Sequence, residues 1–537
     1  MYGARQCGQY DSKKLIKNHT AAPGQFAIMV TIANSPGAVC DYGHNRKHSA
    51  LQAEKQRQQP VRCAQVGNII LTSRAQSLKN NKQYNGGNIM RKILSLVLAL
   101  VLATSLVFVL VSCDNTSDLE GTAAIVAEAS KMSLAELEAA AKAEMEASND
   151  TFKVVGLTSV LKKAGDAFKA KYDWIGDKMD VNNSYKDYAL LQALETAGTS
   201  YFADYALVQD VRSIAAFDGD LLHNFVPSDY EELGLSEADT KPLKGIYFNK
   251  LFYTNTNFEN VTGKNLYNIW QLAGSEADAD HLGLVSFQPA TTEQINMSFL
   301  LSCEAEENQQ RIKDAYKKYY NKEWSSDTYV SAGQQWVTEF IANISRWHSS
   351  DGTAMKETQL KNDWTAGYVY YGAFAKMKDA VGKNYAIADI EGAEENDPIL
   401  SGLVGEKGVN AMDTVKWDWE IEGFNGFMYA MCSQIVNNAK HPYTACLYAR
   451  FLLTLDAYES SVYNKDLPKP DGSTASKVNQ YGYYAPASNS ITYAKGDWTR
   501  DQHIAKEIVE NYEYLKTVRI TQVNRILGLI ASNDKAE

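Results

Sequence analysis

At 537 residues, 45% hydrophobic and 22% charged, the chain holds ample material for a large core and is expected to fold as two or more domains. Those proportions exclude a disordered or fibrous chain, and after residue 112 no window supplies the roughly 18 uncharged apolar residues of a membrane span. The formal charge of −11 is unevenly spread: residues 1 to 89 hold twelve Lys or Arg against three acids, a net +9, and Arg91 and Lys92 add two more, which leaves −22 for residues 113 to 537.

Residues 1 to 89 come first in the chain but ahead of what reads as an export signal. A secretory signal acts at the beginning of a chain, so this basic stretch is read as upstream sequence translated from a start placed too early. A basic arm for nucleic acid is the rival reading, and it requires a cytoplasmic protein; no nucleic-acid partner is expected.

Residues 90 to 112 carry the signal. Met90-Arg91-Lys92 gives the positive start, Ile93 to Val111 the apolar stretch, and small residues close it, the pattern of a segment that is removed and plays no part in the fold. Its end, Leu110-Val111-Ser112-Cys113, resembles the bacterial lipobox, in which the Cys thiol receives a diacylglycerol and the peptidase cuts just before it. The resemblance implies that Cys113 is the lipidation site and first mature residue. The chain is then held to the cell membrane by lipid, facing the extracellular or periplasmic side.

Residues 113 to 149 are Ala/Glu-rich, as in Leu134 to Met145. Propensity favours a helix there, and its thin apolar stripe predicts one lying on the surface or serving as a spacer from the membrane. Beyond Cys113 only Cys303, Cys432 and Cys446 remain, without CxxC or Cys/His metal spacing, so neither a zinc site nor a disulfide is expected and no cofactor is assigned; a Cys432–Cys446 pair stays open.

The folded part is expected to open with a strand over Thr151–Val155, a Gly156-Leu157-Thr158-Ser159 turn, and a helix whose Val160, Leu161, Ala164, Ala167, Phe168 and Tyr172 recur at spacings of three and four. A second helix over Tyr185 to Ala197 and a buried strand Tyr205–Val208 follow. In an open α/β sheet ligands bind outside the carboxyl ends of strands, beside helix N-termini. Thr158, Ser159, Gln209 and Asp210 fall at such ends and are candidate ligand-binding residues.

Taken together, Phe152-Lys-Val-Val-Gly156, Asp204-Tyr-Ala-Leu-Val-Gln-Asp210, Leu222 to Asp229, Tyr247 to Asn255, Asn268 to Leu272, Phe287-Gln-Pro289 and Asn296 to Leu300 occur in an order that resembles extracellular solute-binding proteins of ABC importers. Gly426 to Ala430, Ile435 to Pro442 and Ala449 to Thr454 continue it. The resemblance covers roughly Thr151 to Tyr458, with a weaker tail to Leu527, and its order is more specific than any single piece. It implies an α/β, two-lobed type II periplasmic-binding-protein fold with a hinge and an interlobe cleft, and an ABC permease as partner. Lobe one would comprise 150–254 and 415–460, and lobe two 255–414 and 461–537 with the C-terminal helices. Tyr253, Thr254 and Asn255 would form the first hinge crossing.

The solute class stays open between ferric ion, polyamine and sugar. Adjacent tyrosines supply phenolates in the ferric branch of that class, which makes Tyr370 and Tyr371 candidate metal ligands; a Tyr pair in a strand is more often ordinary packing. Aromatic rings that stack on sugars or attract cations are found at Trp364, Trp417, Trp419, Tyr483 and Tyr484, with Asp418 and Glu420 as charges for a polyamine. No GxSxG, HExxH, phosphate loop or dinucleotide fingerprint follows a strand, and the five His after Cys113 are scattered singly, so the chain is not read as an enzyme. A surface glycan-binding lipoprotein is the main alternative, and a secreted glycoside hydrolase with two facing carboxylates is a further one.

Overall fold

The computed structural model describes residues 119–533 apart from 186, 210, 360–362, 378–413, 418–419, 466, 474–476 and 487–490. Residues 1–89, the signal and Cys113 therefore lie outside the described residues. Among the described residues no helix is long and apolar enough to cross a membrane.

Two helices precede the first strand, α1 (Gly121–Ala129) and α2 (Leu134–Ala147). Ser133 and Glu136 start α2 with a capping box, each side chain meeting the other residue's backbone N–H. The Ala/Glu-rich run is thus helical, and over this stretch it lies on the surface of the fold with one face buried. Leu137, Ala141 and Met145 are buried four residues apart, and α2 packs on α10 (Pro442–Phe451). Glu144 accepts from the N–H groups of Tyr443 and Thr444 at 3.1 and 2.8 Å, so it caps the start of α10. A stripe containing alanine is thin in sequence yet permits this close approach.

The first half of the sheet follows from its residue pattern. β1 (Phe152–Gly156), β2 (Met179–Asn182) and β3 (Tyr205–Val208) lie parallel in the order β2-β1-β3. All four residues of β3 are buried, the continuous apolar run that a strand covered on both faces requires. Thr158 caps α3 (Ser159–Lys171), whose Val160, Leu161, Ala164 and Phe168 are buried. The helices α4 (Asp187–Ala197) and α5 (Val211–Phe217) complete this half, with α5 starting just after β3.

The second half repeats the plan. β6 (Val285–Phe287), β7 (Ile344–Trp347) and β8 (Val369–Ala373) are parallel in the order β8-β6-β7. Around them lie α6 (Gln294–Ser302), α7 (Glu306–Tyr320), α8 (Ala332–Asn343) and α9 (Asp351–Thr358). An aromatic core fills this half: the Tyr371 ring lies 4.7 Å from that of Phe299 and 5.1 Å from that of Phe287.

Two long strands join the halves. β5 (Lys244–Asn255) and β10 (Gly426–Val436) are buried throughout and antiparallel to each other. β10 pairs with β3 through Cys432–Ile435, whereas β5 pairs with β8 through Lys250–Thr254. The short β4 (Leu222–His223) adds to the end of β10, and β9 (Val415–Trp417) to the end of β5. Two parallel groups bridged by two crossing strands form the two-lobed α/β arrangement that the resemblance implies.

The remaining elements are α11 (Leu455–Ser461), which packs on α3, and the separate pair β11 (Tyr463–Asn464) with β12 (Val478–Asn479). Last come β13 (Tyr483–Tyr484), α12 (Arg500–Lys506), β14 (Ile508–Val509) and α13 (Tyr512–Ala531). α13 packs on α5 of the first half as well as on α6 and α8 of the second, so the C-terminal stretch touches both halves. Cys303, Cys432 and Cys446 are free and buried, and Cys432 and Cys446 do not pair.

Candidate functional site

Register locates the place where the halves meet. Val208, the last residue of β3, pairs with Cys432, which pairs in turn with Lys244 at the start of β5. Ala373, the last residue of β8, pairs with Lys250. The carboxyl ends of both parallel groups therefore face the same short stretch of β5, Lys244 to Lys250. β10 comes very close to β5 here, since a Cβ on Gly426 would lie 2.2 Å from the Lys250 carbonyl oxygen; only glycine fits.

The second half sends charge to this stretch. Lys250, 1% exposed, reaches Asp351 at the start of α9 at 3.2 Å and Glu293 just before α6 at 4.0 Å. Taking an ammonium out of water is costly, and two carboxylates offset the cost. His348 is also buried here, with Nδ1 3.0 Å from the Ser286 hydroxyl. Burial lowers its pKa to about 3, so the imidazole is neutral. On the strands themselves, the Phe248 ring stacks on Tyr429 at 5.8 Å and tilts against Tyr483 at 4.9 Å.

A cavity of about 560 Å³ lies beside the crossing, within the size range of small-molecule sites. Lys244 and Tyr247 line it from the first half, Glu307 and Arg311 from the second, and Glu510 and Tyr512 from the C-terminal stretch. Its cations are already engaged: Lys244 Nζ donates to the Ala238 carbonyl at 2.7 Å, and Arg311 donates to the carbonyls of Glu507 and Ala505 at 2.7 and 3.1 Å.

The residues singled out from sequence are dispersed. The Thr158 hydroxyl accepts from Val160 N–H at 3.3 Å and so serves as a helix cap. Ser159, the first residue of α3, is exposed, and Gln209, just after β3, is buried. Asp210, Asp418 and Trp419 lie outside the described residues, as does the side chain of Trp364. Trp417 is packed between Tyr253 and Phe374, with ring centroids at 4.8 and 4.3 Å, and Glu420 is exposed and paired with Lys506 at 2.9 Å.

Tyr370 and Tyr371, the candidate ligands if the solute is ferric, lie in the core, in keeping with the packing alternative. Each is at most 1% exposed, and burial pushes both phenols well above their ordinary value, which opposes the phenolate that a ferric ion needs. Tyr370 OH donates to the Thr365 carbonyl at 3.2 Å. Among the described residues no group of three or more His, Cys, Asp or Glu is arranged to hold a metal. The Tyr371 hydroxyl is buried without a hydrogen-bond partner, so Tyr371→Phe should leave urea-unfolding stability within about 1 kcal/mol of the parent or raise it. A loss above about 2 kcal/mol would instead show a bond to that hydroxyl.

Tyr253, Thr254 and Asn255, expected at the hinge, lie beyond the crossing and are fully buried; Tyr253 and Thr254 pair with β8 on one edge and β9 on the other, and Asn255 pairs with β9. β5 exchanges β13 for β8 between Phe248 and Lys250, and β10 has a register shift at Met431/Cys432. The pairing of both long strands therefore changes at Asn249 and at Met431. Lys244, Asn249 and Lys250 are polar residues within a strand buried throughout.

No family model matches the chain, and no curated protein does. Solved structures similar to it include the Trichodesmium protein IdiA (FutA) in complex with iron and citrate, at 12% identity over 70% of this chain and 99% of that one, with a TM-score of 0.43. A Bordetella ferric binding protein is similar at 10% identity over 72% and 100%, TM-score 0.43. An ABC transporter substrate-binding protein from Bradyrhizobium japonicum USDA 110 is similar at 11% identity over 71% and 100%, TM-score 0.41. The structural neighbours of this chain are thus ferric-binding and ABC substrate-binding proteins, all of low sequence identity.

Proposed function

We propose that this chain captures a small solute between its two halves and delivers it, chemically unchanged, to an ABC-type importer. The observation that carries the reading is the register at β5, which brings the carboxyl ends of both parallel groups to one stretch of strand beside a 560 Å³ cavity. Ligands of open α/β sheets bind outside such ends. A solute that touches both halves favours the closed state by its differential affinity alone. Glu237, Glu307, Glu510 and Glu513 outnumber the three basic residues of the cavity by one even with Glu507 held by His503, which supports a cationic solute such as a polyamine over a sugar. A thermal-shift screen of polyamines, ferric salts and oligosaccharides tests this. Binding should stabilise the fold by about 2.7 kcal/mol at a concentration one hundred times Kd. Turnover of a hit would mean an enzyme in place of a receptor.

The same reading holds the protein to the membrane through lipid on Cys113, facing the extracellular or periplasmic side, with an ABC permease as partner. Two or more acyl chains give stable anchoring. Cys113→Ser should therefore abolish lipidation and leave the protein unprocessed or shed into the medium. Unchanged membrane attachment and unchanged mature mass would contradict the assignment.

A further inference from the structure

At the crossing, the β5–β10 pair has two outer edges, and the C-terminal stretch covers both. β13 adds to β5 at Tyr247 and Phe248. β14 adds to β10 at Phe427 and Met428, on the edge that β3 occupies farther along, from Cys432 to Ile435. Between these two strands α12 passes over Asn249. Asn249 Nδ2 donates to Glu507 Oε1 at 3.0 Å and lies 3.4 Å from the Tyr484 hydroxyl. That hydroxyl donates to Asp497 Oδ1 at 3.1 Å and meets His503 Nε2 at 2.9 Å. Asn249, Tyr484 and His503 are all fully buried.

Beyond β14, α13 is fixed to the second half. Arg519 donates to the Ser298 hydroxyl at 2.7 Å, Arg525 pairs with Glu304, and Asn533 donates to the Ile341 carbonyl at 2.7 Å. Its contact with the first half is lighter: it packs on α5, with Lys516 3.6 Å from Asp218 in an exposed pair.

A two-stranded ribbon twists readily and is marginally stable alone, whereas four paired strands resist twist. We propose that this C-terminal stretch is a belt across the crossing, gripping its strands at Asn249 and so limiting how far the two halves rotate about them. Its use rests on the closure reading given above; its test does not. Rotation needs backbone change around Phe248–Lys250 and Met428–Met431, where the belt adds its strands and its buried hydrogen bonds, and local opening is harder wherever such bonds must break.

The test is amide hydrogen exchange on the full chain without solute, comparing the parent with Asn249→Ala and, should that variant fail to fold, with Tyr484→Phe, which keeps the ring and removes only the hydroxyl. Exchange in residues 246–251 and 427–431 should rise about tenfold while β1 and β6 stay as in the parent. Unchanged rates in the crossing strands, or an equal rise throughout the molecule, would overturn the belt. Failure of every solute to bind would sink the capture reading and leave these rates untouched, so the two are separable.

Discussion

Replacing His503 with alanine is expected to destabilise the protein by about 3–5 kcal/mol, the range for removing one partner from a buried ionic group. His503 lies fully buried between two carboxylates, with Nδ1 2.6 Å from Glu507 and Nε2 2.9 Å from Asp497. Burial by itself pushes the imidazole pKa down, but the Glu507 and Asp497 carboxylates outweigh it and raise it to about 9. The histidine is therefore a cation at neutral pH; burial raises the Asp497 and Glu507 carboxyls as well, and without the cation both are left buried with no opposite charge. Because the folded pKa lies above the unfolded one, this stabilisation is complete below about pH 6.5 and is lost as pH rises through about 9. Urea unfolding at pH 7 and pH 10 checks both statements: the variant should lose most at pH 7, and the gap should narrow at pH 10. A loss below about 1 kcal/mol at pH 7 would show that the trio is not ionic.

Asp204→Ala should be comparably damaging, again about 3–5 kcal/mol, since hydrogen bonds to a charged group contribute roughly 1.5–3 each and add incompletely. Asp204 is 0% exposed and stands just before β3. Its Oδ2 accepts from Lys153 N–H at 2.7 Å and from the Tyr201 hydroxyl at 3.0 Å, and its Oδ1 accepts from the N–H groups of Lys440 and His441 at 2.7 and 2.9 Å. One carboxylate thus ties β1, β3 and the turn that enters α10, joining the start of the first half to the chain that returns to it. Asp204→Asn keeps one accepting oxygen and should cost about half as much in the same unfolding series. Equal losses for the two substitutions would mean that charge, not acceptor number, holds the junction.

The opening of the fold was legible because local pattern and tertiary role agree there. Phe152–Gly156, the 3.6-residue stripe of α3 and the apolar run of β3 each form as the residues dictate, whereas Thr158, a ligand-binding candidate from sequence, caps α3. Residues that depend on partners distant in the chain were not legible. His503 is one of five scattered histidines, and nothing near it announces that Asn249 lies 254 positions away beneath it. Asp204 stands in sequence merely beside a strand, and its value comes from Lys440 and His441, far along the chain. For Tyr370 and Tyr371 the pattern leaves ferric ligation and ordinary packing both open, and only tertiary packing reveals that both rings are interior. The stripe of α2 was discounted because alanine adds little hydrophobicity, yet its small size is what allows α10 to dock.

On the proposed reading, the two halves close about the β5–β10 crossing upon a small solute. Small-angle scattering of the purified protein, with and without a polyamine or other hit from the thermal screen at saturating concentration, tests it most directly. The account predicts a smaller radius of gyration with solute bound and no change for a compound that does not bind. A bound solute that raises thermal stability but leaves the radius of gyration unchanged would contradict it.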